Sequence, residues 1–199
     1  MGDFMERLEL KKLAKEQIKG NIGMYFVCSL IVLAISGALG AVPKVGGILS
    51  FIFLAPITLA FAKINLGITK GQKVEVKTLL EGFNDFGRSI LLQIFISIFV
   101  FLWSLLLIVP GIIKAISYSM SFYILAENED MDSLEALNES KRIMEGHKWE
   151  FFVLILSYIL WYLLGIITCG LAYIYIVPYQ NVTIANFYNS IKDEAVIED

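Results

Sequence analysis

Residues 151–191 read FFVLILSYILWYLLGIITCGLAYIYIVPYQNVTIANFYNSI. These 41 residues contain no Asp, Glu, Lys or Arg. One membrane-crossing helix needs about 20 apolar residues, so the run holds two. The break is read at Gly165-Ile166-Ile167-Thr168-Cys169-Gly170, where two glycines flank small polar residues. A buried helix of a water-soluble protein is rarely this long or this free of charge.

The pattern recurs upstream. Ile22–Val42, Val45–Ala62 and Ser89–Ile113 are uncharged over 21, 18 and 25 residues. A shorter piece, Gly111–Ala126, follows the Pro110-Gly111 turn signal and contains Lys114. As a helix of 16 residues it covers about 24 Å, against about 30 Å of hydrocarbon. Charge decides whether it crosses. If it does, fourteen basic residues fall on the side of the N-terminus and only Lys44 and Lys114 on the other. If it does not, the split is ten against six. The positive-inside rule favours the larger asymmetry. The expected fold is therefore an all-α polytopic membrane bundle of six transmembrane helices. It forms a single domain over residues 1–199, with spans near 22–42, 45–62, 89–109, 111–126, 150–167 and 171–189. Both termini are expected in the cytoplasm of a plasma-membrane protein. A cleaved leader ending at Ala38-Leu39-Gly40 is disfavoured, because the 21 residues before the first run mix basic with acidic side chains.

Composition agrees. Of 199 residues, 57% are hydrophobic and 18% charged, whereas soluble domains carry roughly 25% charged residues. Mean hydropathy is +0.71. Two Cys cannot make a disulfide scaffold, and a net charge of −3 gives nucleic acid no basic field.

Each cytoplasmic connection carries a short amphipathic stripe. The stripes are Leu10, Leu13, Ala14 and Ile18; Val76, Leu79, Leu80 and Phe83; and Leu134, Leu137 and Met144. Asp132 with Glu135 has the spacing of a capping box. A pair of spans follows each stripe, and the second of each pair holds or begins near a proline: Pro56, Pro110 (with Gly111) and Pro178. The chain thus reads as three units of surface helix plus membrane hairpin.

Few groups offer chemistry. The spans contain no Asp, Glu or His; Lys63 and Lys114, near span ends, are expected to snorkel. Gln93 and Ser97 share a helix face, and Gln180, Asn181, Thr183 and Asn186 sit in the last span. Such residues join helices by hydrogen bonds, or they line a polar path; joining is the simpler reading. The Pro178-Tyr179 kink beside them is the best cavity wall. Ser36 and Gly40 suggest a close helix contact, and Tyr25 and Trp149 suggest interfacial anchors. His147 and the acidic run Glu127, Glu129, Asp130 and Asp132 read as solvated groups. No catalytic residue, cofactor or metal site is expected.

Several short motifs together carry a resemblance. They are Leu13-Ala14-Lys15-Glu16-Gln17-Ile18-Lys19-Gly20-Asn21, Pro110-Gly111-Ile112, Tyr123-Ile124-Leu125-Ala126-Glu127, Met144-Glu145-Gly146-His147-Lys148, Thr168-Cys169-Gly170, Pro178-Tyr179 and Phe187-Tyr188. With these the chain resembles the bacterial integral-membrane family called domain of unknown function 975. The resemblance implies a six-span bacterial plasma-membrane protein and assigns no catalytic residues. The expected function is non-enzymatic: a scaffold, regulator or lipid-facing accessory. The alternative is a small transporter or flippase for a neutral or amphiphilic substrate. The expected partners are the lipid bilayer and other membrane proteins, not nucleic acid; the sequence sets no oligomeric state.

Overall fold

A computed structural model describes residues 2–198 of the chain and the side chains of residues 7–195. Among the described residues there are helices and no strand. In chain order they are α1 (Gly2–Gln17), α2 (Ile22–Gly40), α3 (Gly46–Thr69), α4 (Lys77–Glu81), α5 (Phe86–Leu106) and α6 (Ile108–Ser117). Then come α7 (Ser121–Glu127), α8 (Ser133–Ile143), α9 (Lys148–Leu156), α10 (Ile159–Ile167) and α11 (Tyr173–Glu198).

The local chemistry explains the boundaries. Leu107 is extended at the corner between α5 and α6, and Pro110 falls in the first turn of α6. There its missing N–H would have had no helical partner anyway. The capping box is present: Asp132 accepts from the amides of Leu134 and Glu135, and Glu135 accepts from the amide of Asp132. The long apolar run breaks at residues 168–172, close to the expected turn. A further interruption at Ser157-Tyr158 has no Pro or Gly to announce it.

Five stretches are long and apolar enough to cross a membrane: Ile22–Gly40, Gly46–Thr69, Phe86–Leu106, Ile108–Glu127 and Lys148–Ile167. The doubtful piece at 111–126 belongs to a 20-residue stretch, because its helix starts at Ile108. It is bent where α6 gives way to α7. The sixth expected span, 171–189, lies in α11, whose 26 residues have the length but not the apolar composition. Its Gln, Asn and Thr side chains lower its hydropathy.

Burial is uneven. Leu105 to Val109, Leu160, Ile166, Ile167 and Leu171 are exposed by two thirds or more. Water would not tolerate such a contiguous apolar surface, and lipid covers it at no cost. These features make the chain a membrane protein. The core lies toward the other end, where α11 packs against α1, α2, α3, α8 and α10. Two of the expected stripes are buried except for one leucine each. Leu10, Ala14 and Ile18 are inside but Leu13 is not, and Leu137 and Met144 are inside but Leu134 is not. On α4 only Leu79 is buried; Leu80 is among the most exposed leucines. Ser36 and Gly40 are both exposed, and Gly40 is approached at its backbone: a Cβ on Gly46 would stand 2.9 Å from the Gly40 carbonyl oxygen.

Candidate functional site

α11 carries its polar groups along one length of helix, and each meets a different neighbour. Gln180 accepts from the Tyr162 hydroxyl of α10. Asn181 Nδ2 donates to the Tyr25 hydroxyl of α2 over 2.8 Å. Thr183 and the Tyr158 hydroxyl are 2.7 Å apart. Asn186 donates to Gln17 of α1 over 2.6 Å, and Asn189 to Thr69 of α3 over 3.1 Å. Tyr25, expected as an interfacial anchor, is instead fully buried. Its partner Asn181 is 156 residues away, a separation that no sequence spacing reveals.

The interhelical bonds have a measurable consequence. In a double-mutant cycle with Asn186→Leu and Gln17→Leu, the coupling energy from detergent unfolding is expected to be about 1 kcal/mol, typical of hydrogen bonds inside membrane bundles. A coupling of zero would show that the two amides do not pair.

Beside this ladder runs a groove of about 360 Å³, lined by α2, α3, the Tyr118–Met120 turn, α7 and α11. On α3 it follows Leu54, Thr58, Phe61 and Asn65, the i, i+4, i+7, i+11 positions of one helix face. Asn65 is 2% exposed, and its Oδ1 accepts no hydrogen bond from the protein. The buried hydroxyls of Tyr25 and Tyr123 lie beside its amide. Tyr123 also donates to the Asn181 carbonyl over 3.4 Å. The expected span 45–62 stops short of Asn65, so it was not among the expected polar groups; the helix in fact runs on to Thr69.

Gln93 and Asn181 do not share this groove. Gln93 donates to Ser97 over 3.3 Å within α5. The pair lines a second groove of about 500 Å³ with Ser104, Tyr118, Ser119 and Phe122. Only Ser119 and Phe122 border both. Pro178 lines a third, apolar groove with Phe26, Leu30 and Leu33 of α2. Pro56 is buried within α3. Gly111 is pressed on Ser104 of α5, where a Cβ would stand 2.9 Å from the Ser104 Cα.

The charged groups are more engaged than their spacing suggests. The Lys63 ammonium meets Asp85 at 3.1 Å. Lys114 lies over the Trp103 ring, 4.9 Å from its centroid. Glu127 is not a solvated loop acid. It is 13% exposed and accepts from Lys70, Lys192 and Tyr188 at 2.9, 2.6 and 3.0 Å. His147 sits between Glu150 at 3.0 Å and Glu194 at 3.5 Å. Arg88 donates to Asp85 and to the carbonyls of Asn128 and Met131, binding the start of α5 to the loop before α8. Among the described residues no group of three His, Cys, Asp or Glu could hold a metal ion.

Of the motifs that carry the resemblance, those ending at Gly20-Asn21, beginning at Pro110 and spanning Met144–Lys148 and Thr168–Gly170 fall at or beside corners between helices, whereas Tyr123–Glu127 lies in α7 and Pro178-Tyr179 and Phe187-Tyr188 lie within α11. The family described as "Protein of unknown function (DUF975)" matches in two overlapping segments, residues 1–117 and 105–195. The chain belongs to the DUF975 family. No curated protein and no solved structure matches it. In this DUF975 chain, Gly146 and Gly170 adopt positive φ after α8 and α10. Cys169 does too, at +51°, a left-handed conformation unusual for a side chain larger than glycine.

Proposed function

We propose that this DUF975 chain is a non-enzymatic, six-span plasma-membrane protein acting as a scaffold, regulator or lipid-facing accessory. In this reading both termini lie in the cytoplasm, and each surface helix with the helical pair after it forms one of three hairpin units. The observation that carries it is the use made of α11's polar side chains: Gln180, Asn181, Thr183, Asn186 and Asn189 are each bonded to a residue outside α11. They act as ties between units, which a scaffold requires. Leu13, Leu80, Leu134 and Trp149 stay exposed on or beside the surface helices. Exposed apolar groups flanked by charge suit the membrane interface or a partner's helix.

Purification in mild detergent is expected to bring down a bound lipid or a membrane-protein partner. A lone monomer carrying neither contradicts the proposal. The second reading, a small transporter or flippase for a neutral amphiphile, is favoured by the groove beside Asn181 and Asn65. It requires uptake or lipid scrambling in reconstituted vesicles, abolished by Asn181→Leu. Flux unchanged by that substitution removes the groove from any transport path.

A further inference from the structure

We propose that the groove along α3 binds a neutral, hydroxyl-bearing lipid of the diacylglycerol class, entering sideways from the bilayer. This deepens, and rests on, the reading of the chain as a lipid-facing membrane protein. The groove has two chemically different ends. Asn65, Tyr123 and Asn181 gather at one, and Leu54 and Val32 border the other. From Leu54 to Asn65 is eleven residues, about 16 Å along the helix axis. The polar end lies two residues from Lys63, whose ion pair with Asp85 belongs to the charged end of the molecule. The apolar end reaches the surface at the half-exposed Leu54. A guest that fits must therefore be polar at one end, apolar along its length and aligned with the helices.

Three observations narrow its chemistry. First, no ionised side chain lines the groove. A phosphate or carboxylate would lose its hydration there without gaining a counter-charge. Second, Asn65 Oδ1 is buried and unpartnered, a standing cost that a donor on the guest removes. A hydroxyl both donates and accepts, so it satisfies the Asn65 amide in either of its two isosteric orientations. Third, about 360 Å³ has room for roughly a dozen water-sized groups. That accommodates a glycerol backbone and the first carbons of its chains, with the rest running past Leu54 into the bilayer. In the neighbouring groove, by contrast, Gln93 donates to Ser97 and Ser97 donates to the Gln93 carbonyl.

The test reconstitutes the full chain in phosphatidylcholine vesicles with a photoactivatable diacylglycerol, or with a phosphatidylglycerol of the same chains. The diacylglycerol is expected to label peptides of α3 and α7 at least about fivefold more than the phospholipid. Excess unlabelled diacylglycerol should compete. Asn65→Leu is expected to lower labelling by about five- to tenfold, the worth of one buried hydrogen bond. Its thermal midpoint in detergent alone is expected to fall somewhat, because the amide also bonds the Tyr25 and Tyr123 hydroxyls. A merely structural Asn65 would show that lower midpoint with labelling retained, which overturns the proposal. Thr58→Trp, which fills the groove without touching Asn65, should also block labelling and decides the matter should Asn65→Leu fail to fold. Equal labelling by both probes overturns the proposal, as does labelling indifferent to both variants. A chain retained in carbonate-washed membranes yet unlabelled sinks this inference alone. A chain released by carbonate sinks the membrane reading with it.

Discussion

Asp85→Ala is expected to destabilise the protein by about 2 kcal/mol, between the worth of an exposed ion pair and the cost of breaking a fully buried one. Asp85 joins two cations, Lys63 at 3.1 Å and Arg88 at 2.9 Å. Their fates on its removal differ. Arg88 keeps the carbonyls of Asn128 and Met131. Lys63 loses its ion-pair partner, and its side chain is only 18% exposed. The damage is therefore a stranded ammonium rather than a lost attraction. Lys63→Met should cost far less, since Asp85 retains Arg88. The double variant Asp85→Asn, Lys63→Met should recover most of the loss. Thermal unfolding of the purified protein measures all of these; a Lys63→Met penalty as large as that of Asp85→Ala contradicts the asymmetry.

The same group sets an acid dependence. Burial raises the Asp85 carboxyl's pKa, but hydrogen bonds from Lys63 and Arg88 outweigh burial and hold it below the usual carboxylate range. Its folded-state value thus lies below its unfolded value of about 3.9. The stabilisation is complete above the unfolded value and is lost as pH falls through the folded one. The difference in thermal midpoint between wild type and Asp85→Asn should be constant near neutrality and shrink below about pH 4. A difference that grows in acid would reverse the sign assigned here.

Gly82→Ala is the second large effect, at about 1–3 kcal/mol. A Cβ on Gly82 would stand 2.3 Å from the Pro56 carbonyl oxygen and 2.9 Å from the Ala60 nitrogen. Both are backbone of α3 and cannot turn aside. The segment after α4 would have to lift, separating Phe83 from Phe53, whose ring centroids lie 6.1 Å apart. Gly165 offers the contrast. The atoms nearest a Cβ there belong to the ring of Tyr173. That ring can swing away at the cost of its hydrogen bond to the Tyr162 carbonyl. Gly165→Ala is therefore expected to cost roughly 1 kcal/mol or less. Unfolding midpoints that rank the two variants the other way would show that the fit of α4 on α3 is looser than described.

What the sequence made legible was local. Charge-free runs located the five apolar stretches, because lipid tolerates no unpaired backbone and few charges. Asp132 and Glu135 announced the start of α8, because a capping box needs only its own three-residue spacing. Pairings across units were not legible. Lys63 and Asp85 are 22 residues apart, and Tyr25 and Asn181 are 156 apart. Each side chain alone reads as an end-of-span or anchor residue. Glu127 was hidden for the same reason: the donors that bury it come from the ends of α3 and α11. The stripe on α4 misled because a helix of five residues presents too short a face for its apolar residues to share. Asn65 was missed because Lys63 marked the expected end of a span that the helix outruns.

The polar α11 completes the threading only if it, too, crosses the bilayer, and native chemistry offers a direct probe. Cys169 is exposed in the turn before α11, whereas Cys28 is buried. A membrane-impermeant maleimide added to intact cells is expected to label Cys169. Asn138→Cys on α8 and Glu194→Cys near the end of α11, each in a Cys169→Ser background, should react only after the cells are permeabilised. Labelling at position 194 from outside would contradict the crossing of α11, and labelling at position 138 from outside would contradict the six-span arrangement before it.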